Sequence, residues 1–222
     1  MPELQRLNAG HAPAVLAFEL ANRAYFAASI SDRGDEFFDQ FAERYSALLA
    51  DQETGSCAYY LLVGEDGSVL GRFNLVGMAD GTAELGYRVA EHAAGRGVAT
   101  AAVRELCRLA AAQHGLRTLR ARVTPDNAAS QKVLAKAGFR PAGPADINGR
   151  PATWYERDLA AGCPEPRGRP GLQAGLGYRR EVSSVTMSAA DCVCLARATP
   201  CPAHIESASI SPVVPAIGGA GS

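Results

Sequence analysis

Ala94-Gly95-Arg96-Gly97-Val98-Ala99-Thr100 lies between a stretch of alternating apolar and polar residues and a stretch of helical periodicity. A strand that runs into a glycine turn and then a helix points several unused backbone N–H groups at one spot. Glycine also lets a ligand come close to that backbone. The segment reads as a cradle for phosphate, with a pyrophosphate as its guest. Taken alone it reads equally well as a plain turn before a helix, so its surroundings decide.

Upstream, residues 58–63, 69–77 and 82–89 carry strand patterns separated by the turns Glu65-Asp66-Gly67 and Ala79-Asp80-Gly81, which predicts an antiparallel meander. Downstream, Ala99, Val103, Leu106 and Ala110 recur at helical spacing over 98–114, and Gly115 is placed to end that helix. Residues 116–123 read as a strand and 126–137 as a helix with Asp126 or Asn127 near its N-cap. Closing strands are expected from Phe139 onward and over 152–159. Before the meander, Val15, Leu16, Phe18, Leu20, Ala24 and Phe26 mark one helical stretch, and Phe37, Phe38, Phe41, Tyr45, Leu48 and Leu49 a second. The order predicts an α+β fold, a mixed, largely antiparallel sheet of six to seven strands packed by about four helices.

The chain has 222 residues and a formal net charge of −1, which gives no electrostatic footprint for nucleic acid or an anionic membrane. Its first residues lack a cationic start followed by an apolar run, and no later segment has the length of a membrane span, so a cytoplasmic protein is expected. Every aromatic residue except Tyr178 falls within 1–159, whereas 160–222 holds seven of the 13 prolines and four of the six cysteines. Residues 1–159 are therefore expected to form the functional domain, and 160–222 an irregular or disordered tail. Cys57 and Cys107 lie in apolar segments and read as buried thiols. Cys192, Cys194, Cys201 and His204 are close in sequence, but their CxC pair is tighter than the usual zinc knuckle, and no metal is expected.

With the cradle, its helix and the next strand–helix unit in place, the body resembles the GCN5-related N-acetyltransferase (GNAT) superfamily. Its signature [QR]xxGx[GA] is filled by Ala94 through Ala99 except at the first position. Its later signature, an Asn in a turn followed by a helix and Gly-Phe, is matched by Asn127, Ser130, Val133, Leu134, Lys136, Gly138 and Phe139. With Glu84-Leu85-Gly86-Tyr87-Arg88-Val89 ahead of the cradle, the chain looks most like the RimJ and RimL branch, which acetylates protein N-termini. The resemblance covers residues 1 to about 159. It implies acetyl-CoA as co-substrate, its pyrophosphate on the backbone of Gly95, Arg96, Gly97, Val98, Ala99 and Thr100. The pantetheine arm is then expected along Tyr87, Arg88, Val89 and Ala90, with Asn127 at the pantetheine or its local turn and Ser130 near the thioester sulfur. Ala94 replaces the usual Gln or Arg, which implies altered anchoring. Leu134 stands where several relatives place a tyrosine acid, and this leaves Ser130 as the substitute.

Acetyl transfer needs a neutral amine. At pH 7 an α-amino group is about a tenth neutral, a lysine roughly once in 2,500. No unambiguous base stands out, and this favours an α-amine; Glu84, on the strand entering the site, is the best candidate carboxylate. The expected activity is acetyl transfer from acetyl-CoA to a primary amine, foremost a protein or peptide N-terminus, by a monomer or homodimer. The alternatives are a small-molecule amine such as an antibiotic or polyamine, with Asp32, Asp35 and Glu36 as possible attractants, or a non-catalytic acetyl-CoA-binding regulator.

Overall fold

The computed structural model describes residues 2–28 and 32–160. The expected tail and its cysteine–histidine group lie outside the described residues. β2 (Ala58–Val63), β3 (Val69–Ala79) and β4 (Thr82–Val89) pair in succession as the antiparallel meander. Both faces of this meander are covered, which explains why β2 reads as a continuous apolar run instead of an alternation. Tyr60 and Leu62 point into one core with Phe73, Leu75 and Leu85, whereas Tyr59 and Leu61 point into the other with Phe37, Phe41 and Tyr45.

The first core is closed by α5 (Val98–His114), which buries Val103, Leu106, Cys107 and Ala110 along one stripe. Each large apolar side chain so covered contributes about 1.5–3 kcal/mol. Cys57 and Cys107 are both buried, and burial pushes the Cys107 thiol up from its ordinary pKa.

Two features differ from the sequence expectation. The lead-in contains a strand, β1 (Glu3–Arg6), paired antiparallel to β2 from Glu3 opposite Val63 to Arg6 opposite Tyr60. With one apolar side chain in four residues, this edge strand has no alternation to read. Each N-terminal helical stretch is also broken, giving α1 (Ala12–Ala21), α2 (Arg23–Ala27), α3 (Asp35–Asp39) and α4 (Phe41–Glu53). At Asn22 the break has a visible cause, because its side-chain amide donates to Phe18 O at 2.8 Å while its Oδ1 accepts from the Glu91 N–H at 2.9 Å. An asparagine that bonds backbone in this way competes with helix continuation. Here it also ties α1 to the chain entering the cradle.

The sheet order is β1-β2-β3-β4-β5-β7-β6. β5 (Thr118–Val123) follows α5 and runs parallel to β4, but their register covers only Thr82 with Thr118, Ala83 with Leu119 and Glu84 with Arg120. β4 continues to Val89 without that neighbour, while β5 stays paired on its far edge with β7 (Arg150–Asp158), which pairs with β6 (Arg140–Ile147). The two half-sheets therefore part like a fork beyond Glu84. α6 (Ala128–Lys136) is fastened beside α5 by Arg104, which donates to Lys136 O at 2.6 and 3.2 Å, and by Arg157 Nη1, which donates to Ala137 O at 2.6 Å.

Candidate active site

β4 delivers the chain to the mouth of the fork and a short 3-10 turn, Glu91–Ala93, turns it toward α5. Phe18 and Phe26 pack on Ala90 and Ala93 and hold that turn from the α1–α2 side. The backbone then passes through Gly95 at φ +72° and Gly97 at φ +80°, conformations that other L residues adopt only with strain. Gly97 is the N-cap of α5, so no side chain satisfies the first turn, and the first bond runs from Ala101 N–H to Gly97 O at 3.0 Å. The N–H groups of residues 95–100 precede it and, among the described residues, donate to no backbone carbonyl. Around Gly95, Gly97 and the exposed Arg96 the backbone is open to solvent, so an anion can reach these donors and the positive end of α5.

The open edge of β4 belongs to particular residues. Ala90 N–H donates to Leu70 O at 2.9 Å, so the antiparallel alternation turns the backbone groups of Gly86, Arg88 and Ala90 toward β3. Those of Tyr87 and Val89 face the gap left by β5. Of the four positions expected along a pantetheine arm, these two offer free strand-edge hydrogen bonds.

Side chains from β4 separate two sides of the fork. On the α5–α6 side, the Tyr87 ring stacks on Phe73 with centroids 5.7 Å apart and planes 12° from parallel. Its Oη is buried. Burial raises its pKa to about 12, and a side-chain hydrogen bond with Ser130 pulls in the opposite direction. Ser130 sits in the first turn of α6, where Asn127 Oδ1 accepts from its backbone N–H at 3.0 Å. The Asn127 carbonyl oxygen thus caps the helix that carries Ser130. Leu134 is 0% exposed within the core.

On the other side Arg88 reaches away from the gap. Its Nη1 lies 3.0 Å from Glu19 Oε2, and its guanidinium stands over the Phe26 ring at 4.9 Å. Glu19 is 2% exposed and also meets Arg72 at 2.5 Å and Arg33 at 3.7 Å. Burial alone raises a carboxyl's pKa, but Arg72, Arg88 and Arg33 together outweigh it and hold Glu19 below its ordinary value. Glu84 faces the same side and accepts from Arg122 Nε at 2.8 Å and Nη2 at 3.3 Å. Arg122 also donates to Asp146 O at 2.8 Å and lies over the Trp154 ring at 5.1 Å. Asp32 and Asp35 are both taken by Arg23, at 2.6 and 2.7 Å.

Glu19 and Arg122 were missed as members of this network. A charged residue on the same helical stripe as Val15 and Phe18 is the sequence signal for Glu19. Arg122 alternates with buried neighbours on its strand, and nothing in its pattern reveals Glu84 as its partner.

A forked sheet whose opened strand leads into an N–H cradle at a helix start fits a ligand bearing a pyrophosphate and an extended arm. The sequence matches the acetyltransferase (GNAT) domain family over residues 3–140, and the chain belongs to that family. It is an acetyltransferase that uses acetyl-CoA as acetyl donor, and the groups described above suit that co-substrate. Among solved structures it is similar to a ribosomal-protein-S5-alanine acetyltransferase from Vibrio fischeri, with TM-score 0.66 and 20% identity, covering 73% of this chain and 96% of that one. It is also similar to Mycobacterium smegmatis RimJ in complex with a CoA-disulfide, with TM-score 0.64, 22% identity and coverages of 71% and 82%. A spermidine N-acetyltransferase from Vibrio cholerae, in complex with CoA and spermine, matches with TM-score 0.58, 17% identity and coverages of 72% and 96%. No curated protein matched the sequence. Among the described residues no helix is long and apolar enough to cross a membrane.

Proposed function

We propose that the acceptor is an α-amine at the N-terminus of a protein or peptide, as in the RimJ and RimL branch. The observation that carries this reading is the charge on the acceptor side of β4. Arg72, Arg88 and Arg33 surround the carboxylate of Glu19, and Asp32 and Asp35, the acids that would draw in a polycation, share Arg23. A wall of this kind does not concentrate a polyamine. Glu84 is the proposed proton acceptor, and its lone pairs are shared with Arg122. Such a carboxylate suits an amine already partly neutral at pH 7 better than one needing full deprotonation.

In the proposed arrangement the pyrophosphate lies on Gly95, Arg96, Gly97, Val98, Ala99 and Thr100, and the pantetheine arm runs along Tyr87 to Ala90. Asn127 fixes the start of α6 so that Ser130 reaches the sulfur. Thiol release from acetyl-CoA, measured with a panel of short peptides bearing free N-termini, lysine side-chain analogues, spermidine and aminoglycosides, tests the acceptor. Higher kcat/KM for peptides, abolished by blocking their N-termini, is expected. Preferential turnover of spermidine would overturn the reading.

A further inference from the structure

β3 carries one polar side chain for which the fold supplies no partner. Phe73 and Leu75 enter the first core, so the alternation turns Arg72, Asn74 and Val76 to the acceptor side. Arg72 is tied to Glu19 and Val76 packs in the second core. Asn74 Oδ1, in contrast, is buried and accepts no hydrogen bond among the described residues. An unpaired buried amide oxygen weakens a folded chain, where an apolar side chain of the same size does not.

The register fixes what stands beside this amide. Val76 lies opposite Glu84, Asn74 opposite Gly86 and Arg72 opposite Arg88. Gly86 is partly exposed and brings no side chain, so the place between Glu84 and Arg88 is left to Asn74. Diagonal neighbours on one face of a sheet stand about 7–8 Å apart, somewhat less between their side chains. A single nitrogen that donates to two oxygens spans about 6 Å from one to the other, which matches the step from Asn74 to Glu84. Asn74 keeps 7% of its surface exposed, almost none of it at Oδ1. The two ends of a carboxamide have nearly the same shape, so a half-turn brings the oxygen to the opening without displacing a neighbour.

We infer that Asn74 Oδ1 accepts a hydrogen bond from the acceptor's amine and, beside Glu84, sets where the attacking nitrogen stands. This rests on the reading that the amine enters on the Glu84 side of β4. A neutral oxygen suits the task because it holds an N–H of the amine in either protonation state, whereas a second carboxylate would favour the unreactive ammonium. In the step, Glu84 or water takes the proton that frees the lone pair, and the nitrogen bonds to the acetyl carbon. The C–S bond breaks with its electron pair going to sulfur, which takes up the proton that the acylated nitrogen then loses. Asn74 exchanges no proton and keeps the nitrogen in line throughout.

The test is Asn74→Leu and Asn74→Asp in the full chain, read by thiol release. For Asn74→Leu a kcat/KM for the acceptor lower by about 10- to 100-fold is expected, the range for one hydrogen bond to a charged group. Its KM for acetyl-CoA should stay within about twofold, its acceptor-free hydrolysis of acetyl-CoA should be unchanged, and its melting temperature should be no lower than the parent's. In Asn74→Asp the added anion favours the ammonium, so the acidic limb of the kcat profile should move up by about one pH unit. A structural asparagine gives the opposite split: Asn74→Leu loses stability and keeps its acceptor kcat/KM, and Asn74→Asp leaves the limb in place. That result would overturn this inference and leave the α-amine reading standing. Preferential turnover of spermidine by the parent would instead overturn the α-amine reading, and loss of that turnover in Asn74→Leu would still support Asn74 as the residue that holds the amine.

Discussion

On one side of β4, Tyr87, Ser130 and the N–H groups of residues 95–100 are uncharged donors, and on the other Glu19, Glu84, Arg72 and Arg88 are ions tied to partners. The first side presents hydrogen-bond capacity for charge that a ligand brings, whether pyrophosphate or a forming thiolate. The second has closed its electrostatics within the protein. One strand thus has a side with hydrogen-bond capacity left over and a side whose ions are paired within the protein, and substitutions on the two should fail differently: the buried ions around Glu19 in folding, the neutral side in affinity or turnover, with Glu84, the proposed base, read in turnover as well.

The largest effect is expected at Glu19. Replacing it with Ala leaves Arg72, Arg88 and Arg33 crowded without their shared anion, and removal of one partner from a buried ion cluster costs about 3–5 kcal/mol. Urea unfolding of Glu19→Ala at pH 7 measures it; a change below 1 kcal/mol would erase the contrast between the two sides. The same residue sets a pH dependence. Its folded pKa lies below the unfolded value near 4.5, so the unfolded chain binds more protons in that window. The stabilisation is complete above about pH 4.5 and is lost as pH falls through the folded pKa, and Glu19→Gln should remove that dependence.

Next in size is Glu84→Gln. In its proposed role as proton acceptor Glu84 contributes to turnover, and its loss is then expected to lower kcat/KM by about 10²-fold. The same change disturbs Arg122, so the magnitude alone is ambiguous. The pH profile resolves it: loss of the acidic limb marks a base, whereas an intact limb on a lower plateau marks a positioning residue.

How far these sides were legible in the sequence follows the same division. The glycine turn and α5 were readable because glycines and helical periodicity are local signals, and Gly95 and Gly97 do adopt the positive φ that glycine permits. The meander was readable from turns and apolar runs. The network around Glu19 was not, because Arg72 and Arg88 stand 53 and 69 residues from Glu19 along the chain and meet it only through tertiary packing. The fork was also hidden. Its cause is the end of β4–β5 pairing at Glu84, and nothing in the pattern of 82–89 distinguishes residues with two strand neighbours from residues with one. β1 escaped for a plainer reason, since four residues with a single leucine carry too little pattern.

The smallest of these effects probes the neutral side. In Gly97→Ala the new Cβ meets nothing within 4 Å, so steric contact contributes nothing and the backbone carries the whole effect. At φ +80° an L residue is strained by about 1–2 kcal/mol, and the turn relieves this by rotating, which moves the N–H groups out of convergence. The side chains of Tyr87 and Ser130, anchored on β4 and α6, stay where they are. Binding through the pyrophosphate should therefore weaken by about tenfold, equivalent to roughly 1.4 kcal/mol, while chemistry at the thioester is spared. S-acetylpantetheine, which lacks the pyrophosphate, separates the two. Gly97→Ala is expected to lower kcat/KM for acetyl-CoA and to leave that for S-acetylpantetheine unchanged. An equal loss for both donors would mean that the turn positions the reacting groups, and the cradle would then no longer be an anchor distinct from the site of chemistry.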